Sequence, residues 1–154
     1  MDEDQNPLAK PDTKSLEKQT ALALERLAIK LAQYRPAHAR AHKLSNQQIV
    51  IMAAIFDRPG CNVKVITEQT GMFQSTISRS LEGLIANGYV ERERSKADSR
   101  MTQLHVSETG ADILAAVRIE WRNRVSALLS SLQPAERDAA ASGLQLLVKN
   151  LDHL

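Results

Sequence analysis

Two groups of residues carry the side chains best suited to chemistry in this chain. The first is the run Gln74-Ser75-Thr76-Ile77-Ser78-Arg79, polar at every position except Ile77. Amides, hydroxyls and a guanidinium at this spacing can bond base edges or phosphates. Arg79 either matches the two acceptors of guanine bidentately or holds a phosphate, and both readings stay open from sequence. Ser75 and Thr76, with the free amides of a helix start, suit phosphate oxygens. The second group is Arg92, Arg94, Lys96 and Arg100. A cationic hairpin tip of this length reaches a narrow minor groove, whose negative potential attracts arginine. Asp98 sits among these bases and either braces Arg100 or Arg94 or simply makes the turn.

The remaining reactive side chains are sparse. Cys61 is the only cysteine among 154 residues, so neither an intrachain disulfide nor a cysteine-built zinc site is available. A reactive thiol would need a lowered pKa and access, and a small core residue is the plainer reading of Cys61. His38 and His42 lie four apart but lack a nearby acid or cysteine, a thin ligand set that predicts no metal. No glycine-rich phosphate loop or nucleophile in a recognisable setting is present, so neither an enzyme nor a cofactor is expected. Aromatics make up 3%, too few for a base-stacking single-strand binder. Apolar residues at 43% and charged residues at 25% fit a globular domain. No apolar run approaches the roughly 18 residues of a membrane span, and the acidic start Met1-Asp2-Glu3-Asp4 is the wrong sign for a signal peptide. The expectation is a cytoplasmic protein with no membrane partner. Its formal charge of +2 is unevenly spread: residues 35–106 hold 10 basic and 6 acidic side chains, net +4, while 1–34 and 107–154 are each net −1, with 5 basic and 6 acidic.

The elements that would position these residues follow from period and punctuation. Residues 1–12, with Pro7 and Pro11, predict a flexible arm. A helix over Thr13–Tyr34 carries Leu16, Leu24, Leu27 and Leu31 on a stripe. Pro36 to Lys43 is a basic connector. Ser45 and Gln48 have capping-box spacing, with Leu44 and Ile49 as staple, before a helix whose face is predicted at Ile49, Met52, Ala53 and Phe56. Asp57-Arg58-Pro59-Gly60 stops it. Asn62 caps a short helix to Thr70, Gly71 makes a turn, and a longer helix runs from Gln74 to Asn87 before Gly88. The period then changes to two over 89–94 and 102–106, predicting a hairpin with a charged tip. Ser107 caps a long helix to about Leu132, and Pro134 opens a last one with Leu144, Leu147, Val148 and Leu151. The apolar stripes of the outer helices predict a two-fold homodimer.

A helix pair turning at Gly71, with Thr67 and Ile77 four and six residues to either side and a basic hairpin behind, is the outline of a winged helix-turn-helix. The fold class is therefore mainly α with a small two-stranded β-wing. Residues 44–106 form the winged lobe, and 13–43 with 107–154 form helical dimerisation regions. The run Ile66-Thr67-Glu68-Gln69-Thr70-Gly71, then Ser75-Thr76-Ile77-Ser78-Arg79, Asn87-Gly88-Tyr89-Val90-Glu91-Arg92, Asp98-Ser99-Arg100 and Ser107-Glu108-Thr109-Gly110 resembles the MarR family of transcriptional regulators over nearly the whole chain. Two departures are visible. Ser99 stands where the family often has an arginine, which lowers the wing's charge, and Val106-Ser107 replaces the usual Leu-Thr while keeping the cap.

The resemblance implies a homodimer on double-stranded DNA at a pseudo-palindromic operator, with the helix from Gln74 to Asn87 in a major groove and the wing in a minor groove. Its commonest outcome is repression, often relieved by a small phenolic or anionic effector. It places that effector where the dimerisation helices meet the lobe, which maps onto Tyr34, His38, His42, Met52 and Trp121. Two other readings stand beside it: a winged helix used for protein contacts, and a MarR-like redox sensor acting through Cys61.

Overall fold

The computed structural model describes residues 12–94 and 102–151, and the backbone alone is described at Arg94. It divides into two units, one up to residue 35 and the other from residue 36 onward. Within the first unit, helix α1 spans Thr13–Gln33 and buries none of its residues, so Leu16, Leu24, Leu27 and Leu31 remain about half exposed.

The second unit begins with the short helix α2, Ala37–Ala41. Helix α3, Asn46–Asp57, starts on a complete capping box: Ser45 Oγ accepts from the Gln48 amide at 3.2 Å, and the Ser45 amide donates back to Gln48 Oε1 at 2.9 Å. Leu44, on the other side of the cap, is buried as a staple should be. The buried face of α3 differs from the sequence expectation. Ile51, Met52, Ala54 and Ile55 are covered, whereas Ile49 and Ala53 are half-buried and Phe56 is exposed. Positions 49–56 are apolar throughout, so period alone cannot choose a face, and packing against the helices and hairpin that follow does so instead.

Helix α4, Val63–Thr70, is capped by Asn62 Oδ1, which accepts from the Val65 amide at 3.1 Å. Gly71 ends it at φ 67°, a left-handed conformation that glycine adopts without steric cost. Helix α5, Gln74–Ala86, buries Ile77, Leu81 and Leu84, one stripe at helical spacing. Strands β1, Val90–Arg94, and β2, Thr102–Val106, pair antiparallel with Val90 opposite Val106 and Arg92 opposite Leu104. Cys61 bridges the other edge of β2 at Leu104, whose side chain is buried in the same core as Ile51, Ile55 and Leu81.

Helix α6, Glu108–Ser130, is fastened to the base of this hairpin. The Ser107 hydroxyl accepts from the Gly110 amide at 3.1 Å and donates to the Gly88 carbonyl at 2.6 Å, while the Ser107 amide donates to the Tyr89 carbonyl at 3.1 Å. Gly110 is buried against Tyr89, so close that a Cβ there would lie 2.2 Å from the Tyr89 carbonyl oxygen. Helix α7, Pro134–Leu151, buries no residue, and Leu144, Leu146, Val148 and Leu151 stay more than half exposed.

Candidate nucleic-acid interface

The buried stripe of α5 fixes which of its side chains face outward. With Ile77, Leu81 and Leu84 seated in the core, Gln74, Ser75 and Arg79 are exposed, and Thr76 and Ser78 are half-buried at the margin. No ion pair or hydrogen bond of Arg79 forms among the described residues, so its five donors stand available on a rigid support. The start of α5 has no side-chain cap. Asn62 and Ser107 cap their helices by side chain, but α5 begins at Phe73, which has no side-chain acceptor and is 82% exposed. The Phe73 carbonyl accepts from the amides of Thr76 at 2.9 Å and Ile77 at 3.1 Å, which holds the residue in place.

The strand period sorts the charges of the hairpin. Positions 90, 92 and 94 of β1 share one face, and Glu91 and Glu93 fall on the other, opposite His105 and Gln103. Arg92 is exposed. The basic residues expected at the tip, Lys96 and Arg100, and the bracing residue Asp98, lie outside the described residues, as does the side chain of Arg94.

The residues mapped to an effector pocket are dispersed. Tyr34 follows α1 in the first unit. Met52 is in the core at 1% exposure. His38 Nδ1 donates to the Glu120 carboxylate, which also accepts the amides of Ala37 and His38, the latter at 3.0 Å. Glu120 of α6 thus caps the start of α2, and these bonds from His38 and Ala37 hold its carboxyl below the ordinary value. His42 terminates α2 and shares a 3.2 Å hydrogen bond between its Nδ1 and Tyr89 Oη, ring edge to ring face. The two histidines therefore serve different neighbours, because α2 ends before the second one. Only Trp121, of the four in the second unit, lines the cavity found there.

That cavity, about 620 Å³, lies between the end of α3 and the first half of α6. Phe56, Leu114, Ile119 and Trp121 supply apolar walls, with Arg118 and Arg122 among them. Arg118 pairs with Asp57 at 3.0 Å and lies over the Phe56 ring at 5.1 Å from its centroid. Sequence reasoning missed this pairing because Phe56 was assigned to the core face of α3. Cys61 is buried beside β2, and burial pushes its thiol up, with its own backbone hydrogen bond and Arg58 acting in the opposite direction. A protonated, covered thiol is a poor nucleophile. Among the described residues no three His, Cys, Asp or Glu side chains are placed to hold a metal ion, and no helix is long and apolar enough to cross a membrane.

Residues 42–101, the stretch from the end of α2 to the hairpin tip, match the model of the MarR family. Over those 60 residues the chain is similar to the MarR family. Its relative BilQ of Clostridium symbiosum, an HTH-type transcriptional regulator, is 30% identical over 95 residues, which cover 60% of this chain and 64% of BilQ. The chain thus spans slightly less than two thirds of that relative's length. The fold is also that of Streptococcus pneumoniae FabT in complex with DNA, with TM-score 0.69 at 22% identity over 92% of this chain and 99% of that one. CouR, a transcriptional repressor bound to a 23-mer DNA duplex, gives TM-score 0.71 at 22% identity, covering 91% of this chain and 99% of its own. The MarR fold accounts for α5 and the hairpin lying side by side on one lobe.

Proposed function

We propose that this protein is a MarR-family, sequence-specific regulator of transcription that binds double-stranded DNA as a homodimer, and that it is not an enzyme. The carrying observation is the polar face of α5, Gln74, Ser75 and Arg79, held outward by Ile77, Leu81 and Leu84 and carried in the segment of net charge +4. Arg79 is placed for a guanine edge or a phosphate, and Thr76 and Ser78 for phosphates at the margin of the same contact. Arg92, with Arg94, Lys96 and Arg100, is the wing's contribution to an adjacent minor groove, and Asp98 braces it. The lobe is 44–106, flanked by dimerisation regions 13–43 and 107–154 behind an arm at 1–12. Support for a dimer comes from the apolar side chains left exposed on α1, α7 and the end of α6, where Leu128 and Leu151 are each 63% exposed.

Repression is the outcome we assign, with release by a small anionic or phenolic ligand. The arginine-bearing cavity between α3 and α6 is the place for it, since Trp121 joins it while Met52 is covered and His38 and His42 are engaged elsewhere. A ligand there acts by favouring a dimer whose two α5 helices are wrongly spaced for the groove. The test is a gel shift with the DNA upstream of the protein's own reading frame. Tight binding abolished in Arg79→Ala supports the reading; binding untouched by that change overturns it.

A further inference from the structure

Phe73 is the most exposed large apolar side chain in the described structure, at 82%. The others that are exposed lie on α1, α3, α6 and α7; from α4 through α5 every other large apolar residue is buried or half-buried. Phe73 also occupies a position where a serine, threonine, asparagine or aspartate would stabilise the helix start, and gives α5 no side-chain cap. A residue that breaks a local rule with no packing in return points to a function. Its backbone is fixed by the two hydrogen bonds from Thr76 and Ile77, and Gln74 and Ser75 are exposed beside it. The ring is therefore presented at the leading end of the polar face of α5.

We propose that Phe73 determines specificity by contacting the 5-methyl group of thymine in the major groove. The inference rests on α5 being a groove-reading helix. A phenyl ring offers neither donor nor acceptor to match a base edge, and phosphate oxygens are polar. The one apolar group that the natural base pairs expose in the major groove is the thymine C5 methyl. Guanine and adenine edges beside it are left to Gln74 and Arg79, which carry the donors and acceptors that Phe73 lacks.

The experiment selects duplexes from a random-sequence pool with the full chain, then replaces each thymine of the selected site by deoxyuridine, which removes only the methyl. One position in each half-site should respond, with a loss of about fourfold per methyl and about fifteenfold when both are removed. Phe73→Ser should bind the thymine and uracil duplexes equally. Serine supplies a cap acceptor, so this variant should melt no lower than the wild type. Placing 5-methylcytosine at the responding position, paired with guanine, should bind more tightly than unmethylated cytosine there. Uracil tolerated at every position by the wild type overturns the proposal, as does an equal uracil effect in Phe73→Ser. Loss of a homotypic oligomer in Phe73→Ser also overturns it, assigning the ring to a protein contact. Enrichment of no duplex at all instead brings down the reading of α5 as a groove helix, a failure distinct from the others.

Discussion

Replacing Gly110 by alanine sets two effects of opposite sign against each other. Gly110 lies in the first turn of α6, where alanine ordinarily favours a helix by up to about 1 kcal/mol. Against this, the new methyl would lie 2.2 Å from the Tyr89 carbonyl oxygen and 2.9 Å from Val106 Cγ1. Carbon and oxygen atoms in close contact normally stay about 3.3 Å or more apart, so the helix start or the strand must move by roughly an ångström. Neither can yield alone, because the Ser107 amide bonds that same carbonyl and the Ser107 hydroxyl bonds Gly88. Overpacking of this kind costs about 1–3 kcal/mol, and a weakened cap adds about 1 kcal/mol. The net expectation is a destabilisation of about 1–3 kcal/mol, seen as a melting temperature lower by about 3–10 °C. Differential scanning fluorimetry with urea titration measures it. A variant as stable as the wild type, or more so, would refute the close approach between α6 and the hairpin base.

Glu120→Gln removes a carboxylate held below its ordinary pKa by His38 and the start of α2. A carboxyl depressed in the folded state stabilises above its unfolded pKa, about 4.3, and that stabilisation fades as pH falls through the lower folded value. The melting-temperature gap between wild type and Glu120→Gln should therefore be widest near neutral pH and close on acidification below the folded value; a gap that widens there contradicts the assignment. Cys61 should react with a thiol-specific chromogenic disulfide only as fast as the protein opens, and at once in denaturant, because the thiol is buried with its pKa raised. Rapid stoichiometric labelling of the native protein at neutral pH would reinstate the redox reading.

Much of the lobe was legible because its signals are local. Ser45 with Gln48, Asn62 and Ser107 each announce a helix start by a side chain that must bond a nearby amide, and all three do. Gly71 is left-handed, as a helix terminus before a tight turn requires. The polar face of α5 followed from one stripe, Ile77, Leu81 and Leu84. What failed to show was decided by contacts distant in sequence. The face of α3 could not be read from a segment apolar on all sides, and Phe56 went to the cavity under Arg118. His38 and His42, four apart, mapped to one effector pocket; Glu120 and Tyr89, 82 and 47 residues away from them, give them different neighbours. Phe73 left a faint signal, the absence of a capping side chain before Gln74, which means something only once its exposure is known.

On the proposed function, the lobe holds DNA through positive charge set against phosphates. The most direct measurement of this is affinity for the upstream duplex across a range of salt concentrations, by fluorescence anisotropy. Log K should fall steeply with log salt, by about 0.9 for each phosphate contact, and Arg92→Ala should flatten the slope by about one unit per bound chain. Affinity that is flat with salt, or a slope indifferent to Arg92→Ala, would contradict it.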